Sequence, residues 1–245
     1  LDIALSSCFT SSGQLCVSTE RIYIDRSIYD TFKNAFVSRV KEITLGSHLG
    51  WGYDMGSITT KEHLERIQDA VRQAKSEGAI VECGGRTRPD IGPLVYEPTV
   101  LTHVTPAMEI ARKEVFGPVV YLVPFDTDDD AIDMCNQSGY GLSASIISAD
   151  TKAAMDIAAE INCGAVNINE GFAATFASVA APMGGMGQSG SGRRQGPEGI
   201  LRFTEAQTVS VQKGALVSRK FGSDDKKWGN QMTRKIRILR GTRLR

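Results

Sequence analysis

Apolar residues recur at helical spacing in some stretches of the chain and alternate with polar ones in others, and the order of the two patterns predicts a layered α/β protein. Ile3, Ala4, Leu5, Cys8 and Phe9 mark an opening amphipathic helix, and Ile22 and Ile24 then alternate with Arg21, Tyr23 and Asp25 as a strand. Ile28, Phe32, Ala35, Phe36, Val40 and Ile43 trace a second helix that ends near Gly46, ahead of a glycine-rich loop at 46–56. Thr59-x-x-Glu62 has the form of a capping box before the stripe Leu64, Ile67, Val71 and Ala74, which Gly78 stops. Residues 79–83 and 95–104 are strand-like, and Pro98 predicts an edge or irregular position for the second.

From Val119 the alternation becomes regular. A strand at Val119–Phe125, a helix at 128–138 behind the cap Thr127, a strand at 143–148, a helix at 152–161 behind Asp150 and a strand at Ala165–Ile168 read as β-α-β-α-β. Short connections of this kind predict right-handed crossovers in a mostly parallel sheet. Ligands in such sheets lie beyond the carboxyl ends of the strands, where the loop at 169–182 would project.

Between the first helix and the first strand lies Phe9-Thr10-Ser11-Ser12-Gly13-Gln14-Leu15-Cys16. Small residues there allow a sharp backbone bend, which would let a carbonyl carbon approach the Cys16 sulfur. A small buried hydrophobe is the other reading of such a cysteine. Cys8, Cys16, Cys83, Cys135 and Cys163 are odd in number and widely spaced, which argues against a disulfide framework, and no histidine stands at ligand spacing, so no metal site is expected. His48, His63 and His103 stand alone and read as surface or satisfied polar residues.

At 245 residues with 41% hydrophobic content the chain can bury a sizeable core. Its apolar runs are too short to span a membrane, and no signal-peptide pattern opens it, so a cytoplasmic protein is expected. The formal net charge is zero, but from Lys213 onward 11 Lys or Arg face 2 Asp, a surplus of nine positive charges that leaves the first 212 residues equally negative. A split of this kind fits intramolecular docking or a polyanion partner. The tail carries only Phe221 and Trp228 as aromatics, with none interleaved among its later basic residues, so neither nucleic acid nor membrane is expected as a partner. Trp228, Met232, Ile236 and Leu239 could line one face of a basic helix there.

Phe-x-x-x-Gly-Gln-x-Cys at 9–16 resembles the active-site cysteine motif of the aldehyde dehydrogenase superfamily. Three further stretches follow in that family's order: Glu114-Val115-Phe116-Gly117-Pro118-Val119, Tyr140-Gly141-Leu142, and Pro182-Met183-Gly184-Gly185 leading to Ser189-Gly190-Ser191-Gly192-Arg193. Met183 stands where the family has an aromatic residue. The resemblance covers residues 1 to about 212 and implies the family's catalytic-domain fold at 1–206, an oligomerisation strand at 207–213 with homodimers or homotetramers, and a basic tail at 214–245. It implies oxidation of an aldehyde with NAD or NADP. In that scheme Cys16 is the nucleophile, Glu114 holds the nicotinamide ribose, Phe116 packs near the nicotinamide, and Arg193 tethers the glycine-rich segment.

Within the family, Phe9–Ser18 together with Asn169-Glu170-Gly171 looks most like the succinate-semialdehyde dehydrogenase branch, whose substrate carries a carboxylate; Ser178 could donate a hydrogen bond to it. Members of that branch often have arginine at the Thr10 position and a second cysteine at the Ser18 position, and this chain has neither. The family's general-base glutamate, its oxyanion-binding asparagine and its nucleotide-binding domain precede the cysteine, so the chain reads as a piece of something longer and is expected not to turn over alone. The letters Gly185-x-Gly187-x-x-Gly190 match a dinucleotide fingerprint, but they follow a loop and no apolar helix starts after them, so a phosphate cradle is not expected. The rival readings are an acyl-phosphate reductase or another thiol acyl-transfer enzyme of this superfamily, and a non-catalytic module that binds through its basic tail.

Overall fold

The computed structural model describes residues 1–213, 219 and 221–241. They fall into two compact units, Leu1–Thr204 and Glu205–Arg245.

In the first unit, helix α1 (Asp2–Phe9) passes through a short 3-10 turn at Thr10–Gly13 toward strand β1 (Arg21–Asp25) and helix α2 (Tyr29–Lys41). Helix α3 (Lys61–Ser76) follows, then strands β2 (Ile80–Cys83), β3 (Thr99–Thr102) and β4 (Val119–Phe125). The four strands form one sheet in the order β1-β4-β3-β2, in which β4 runs parallel to both β1 and β3 and only β2 is antiparallel. This is the mixed, mostly parallel α/β arrangement that the sequence predicts.

Both faces of the sheet are covered, and β4 alternates between them. Val119 and Tyr121 point into a cluster with Ile58, Leu64, Ile67, Val71 and Leu101, so α3 lies on that face. Val120 and Leu122 point the other way, into Phe9, Ile24, Phe36, Val40 and Val100 from α1, β1, α2 and β3. A continuous apolar run such as Val119–Phe125 is what a strand between two helical layers requires.

Helix α4 (Asp128–Asn136) follows β4, capped by Thr127 in a full capping box with Asp130. Next come strand β5 (Tyr140–Gly141), strand β6 (Ser143–Ile146), helix α5 (Thr151–Glu160) behind the cap Asp150, and strand β7 (Ala165–Ile168). Helix α6 (Ala173–Ala177), strand β8 (Met186–Gly187) and helix α7 (Gly196–Leu201) complete the unit. Strands β6 and β7 pair in parallel with each other as a separate two-stranded sheet, so the regular stretch after Val119 is divided between two sheets.

Local details differ from the sequence reading in two further places. The cap of α3 is Thr60, whose side chain accepts from the His63 N–H, because the helix begins one residue later than the capping-box pattern placed it. Strand β3 is flanked by β4 and β2; Pro98 lies just ahead of it, and Thr99 makes the first backbone bond to the Pro118 carbonyl, so the missing proline N–H costs no ladder bond. Residues 208–212, whose expected strand pairs with another subunit, have no neighbouring strand within the chain, and Val209 and Val211 are exposed.

The second unit contains helix α8 (Asp225–Gly241), which carries the Trp228, Met232, Ile236 and Leu239 stripe. Parts of the basic tail at 214–245, namely 214–218, 220 and 242–245, lie outside the described residues. No helix among the described residues is long and apolar enough to cross a membrane.

Candidate active site

The turn that carries Cys16 is built from backbone conformations that few residues tolerate. Ser11 and Ser12 adopt φ values of 54° and 59°, and Gly13 follows at 68°. Left-handed backbone at non-glycine residues persists where surrounding bonds hold it. Here the Ser12 hydroxyl donates to the Gly56 carbonyl, and the Gln14 amide donates to the Ser57 carbonyl while its oxygen accepts from the Thr59 N–H at 2.9 Å. The strained turn is thus pinned to the segment that precedes α3, and it leaves Cys16 as the one exposed thiol of the five.

The other four cysteines differ from it in environment. Burial pushes the thiols of Cys83 and Cys135 up to about 11, and raises those of Cys8 and Cys163 as well. Thiols so placed are poor nucleophiles at neutral pH.

Two contacts join the Cys16 turn to the segment at 114–118. Gly13 packs on Gly117 so closely that a Cβ at Gly13 would lie 2.2 Å from the Gly117 carbonyl oxygen. Four residues beyond Cys16, the Glu20 carboxylate accepts from the backbone N–H groups of Val115 at 3.0 Å and Phe116 at 2.8 Å. Phe116 is half-buried with φ 56°, and its carbonyl accepts from Nε2 of the buried His63 at 2.6 Å; Nδ1 of that ring accepts from Arg66. His63 is therefore a satisfied polar residue, as its isolation in the sequence suggests. Glu114 is exposed beside these tethers.

A third contact brings in the loop after β7. A Cβ at Gly171 would lie 2.1 Å from the Ser7 Oγ of α1, so the loop rests on the helix that leads into the Cys16 turn. Asn169, at φ 56°, is bonded to both backbone groups of Ser148, and Asn167 accepts from the N–H and hydroxyl of Thr175. Ser178 lies at the exposed end of α6, where its hydroxyl donates to the Ala174 carbonyl at 2.9 Å. Arg193 donates to the carbonyls of Gly185 and Gly192, the tether its motif implies, and buried Met183 receives two N–H contacts from Arg194. Met186–Gly187 pairs with Tyr140–Gly141. The glycine-rich stretch is thus a bridged turn, unlike a phosphate-binding loop between a strand and a helix.

Sequence reasoning singles out Cys16, Glu114 and Phe116, and the fold ties their segments together. It misses Glu20. An acidic residue at the polar end of an alternating run reads as solvated, and no local signal marks a carboxylate whose partners are backbone groups some 95 positions away.

The aldehyde dehydrogenase family model matches residues 1–209. The chain belongs to this family. It is 43% identical over 236 residues to a Mycobacterium tuberculosis protein named "Putative succinate-semialdehyde dehydrogenase [NADP(+)] 2", an alignment that covers 96% of this chain and 46% of that one. It is 36% identical over 212 residues to aldehyde dehydrogenase 1A1 of Mesocricetus auratus, covering 86% and 42%. A crystal structure of betaine aldehyde dehydrogenase from Staphylococcus aureus in complex with NAD+ superposes with a TM-score of 0.77 at 37% identity, over 82% of this chain and 40% of that one. The chain spans less than half the length of these relatives.

Proposed function

We propose that this chain is the thiol-bearing part of an NAD(P)-dependent aldehyde dehydrogenase that oxidises an aldehyde, with succinate semialdehyde the leading candidate, to its carboxylic acid. The observation that carries this reading is the exposed Cys16 on a left-handed turn whose own residues pack against the segment containing Glu114 and Phe116.

The Cys16 thiolate would add to the aldehyde carbonyl, forming a C–S bond and an alkoxide. The Cys16 backbone N–H, with the family's asparagine, would stabilise that charge. Loss of hydride from this carbon leaves a thioester on Cys16, and water releases the acid. When bound, the nicotinamide cofactor supplies the hydride acceptor. The residues present fit its nicotinamide end: the exposed Glu114 carboxylate can accept two ribose hydroxyls, and the half-buried Phe116 offers an apolar surface next to it. NADP in the names of the mycobacterial relatives and NAD+ in the staphylococcal structure keep both cofactors in view. The relatives' names favour succinate semialdehyde, and Ser178 could meet its carboxylate if the hydroxyl exchanged its bond to Ala174.

The family's general base and asparagine precede its cysteine, and among the 15 residues before Cys16 the one carboxylate is Asp2 and there is no asparagine. The 245-residue chain alone is therefore expected to form at most a covalent adduct, without turnover. A homo-oligomer, in which residues 207–213 pair with another subunit, and a cytoplasmic location complete the reading. The experiment is Cys16→Ser in the complete enzyme carrying this sequence, assayed by nicotinamide reduction with succinate semialdehyde and a neutral aldehyde. Activity should fall by several orders of magnitude; undiminished reduction would remove the proposal.

A further inference from the structure

The segment at 114–116 owes its place to groups outside itself. Phe116 has a left-handed backbone, which a non-glycine residue keeps only where its surroundings impose it. The N–H of that residue is taken by Glu20 and its carbonyl by His63. Glu20 is in turn fixed to the sheet, because its own carbonyl accepts from the Tyr121 N–H at 3.0 Å. Only three residues separate it from Cys16, and two of them are held: Thr19 N–H donates to the Ser7 carbonyl and Ser18 N–H to Leu15, both at 2.9 Å. Val17, the third, is buried. A rigid path therefore runs from the Cys16 turn through Glu20 to the backbone of Val115 and Phe116.

We propose that Glu20 is a positioning residue: its carboxylate, bonded to the Val115 and Phe116 N–H groups, sets where Glu114 and Phe116 stand relative to the Cys16 sulfur. The proposal rests on the aldehyde-oxidising reading of Cys16 and Glu114. A carboxylate suits the task because one oxygen can accept both N–H bonds, and charge-assisted bonds to backbone are stronger than neutral ones. Glu114, Cys8, Arg21 and Tyr121 all face this carboxyl, and burial outweighs the backbone bonds, holding it up at about 7. Glu20 therefore changes charge in the neutral range, and the dinucleotide affinity of the enzyme should register it.

The test uses Glu20→Ala and Glu20→Gln in the complete enzyme, with hydrogen exchange at the Val115 and Phe116 amides as a readout independent of activity. Glu20→Ala should speed exchange at both amides about tenfold or more and raise KM for the dinucleotide by a similar factor, the loss of two charge-assisted bonds. Glu20→Gln keeps an oxygen that can accept both N–H groups but carries no charge, so it should recover part of both effects while abolishing the inflection near pH 7 in the dinucleotide KM. Unchanged exchange and KM in Glu20→Ala, a loss confined to kcat, or an inflection that survives in Glu20→Gln would overturn the proposal. If Glu20→Ala does not fold, the isosteric glutamine variant and its pH profile decide. Turnover by Cys16→Ser would instead refute the reading of the site, while the exchange measurement would still decide whether Glu20 holds the segment.

Discussion

Replacing Gly13 by alanine should separate the Cys16 turn from the segment at 114–118. Two costs combine at this position. A residue with a Cβ at φ 68° pays roughly 1–2 kcal/mol for left-handed backbone. The new Cβ would also lie 2.2 Å from the Gly117 oxygen, 2.5 Å from its carbon and 3.0 Å from the Pro118 nitrogen, all backbone atoms that cannot rotate away. Overpacking of this kind costs typically 1–3 kcal/mol more. The sum is about 2–5 kcal/mol, which for a chain of this size lowers Tm by roughly 4–20 °C. The control is Gly52→Ala, where φ is 105° and nothing lies within 4 Å of the added Cβ, so only the backbone cost applies. Urea unfolding of both variants, monitored by circular dichroism, checks the reasoning. Equal destabilisation of the two would refute the claim that backbone-on-backbone contact joins the thiol turn to its neighbour.

Iodoacetamide at neutral pH should label Cys16 well before the other four cysteines, whose thiols burial holds up or hides; peptide mass spectrometry at low reagent excess reads the order, and earlier labelling of Cys135 or Cys163 would contradict it. Glu20 should make stability fall as pH rises. Its folded-state carboxyl sits above the ordinary value, so its contribution is complete below about pH 4.5 and is lost as pH passes through about 7, and Glu20→Gln should flatten the denaturant midpoint over that window. Thr127→Ala removes the side chain that accepts from the Asp130 N–H and should cost about 1 kcal/mol, whereas Asp126→Ala just before it removes an exposed pair with Arg26 and should cost less than half as much; chemical denaturation separates the two.

Periodicity and motif carried much of this architecture. The run Val119–Phe125 announces a strand, Thr127 and Asp150 announce the helices behind them, and the spacing of Leu64, Ile67, Val71 and Ala74 announces α3 with one apolar face. These signals are legible because each comes from the repeat of a single element, or from a cap bonding within three residues of itself. The motif around Cys16 was likewise local, and so was the family it pointed to.

What the chain could not announce is how those elements meet. The division of β4 and β6 between different sheets, the contact of Gly13 with Gly117, and the bonds from Glu20 and His63 to the backbone around Phe116 all join residues far apart in sequence. A carboxylate aimed at a distant N–H has the same local pattern as one aimed at water, and a glycine that admits another backbone reads the same as one that merely turns. Only the packing of α1 and α3 on opposite faces of the sheet that contains β4 brings those partners within bonding distance, and that packing is fixed by the burial of all three together.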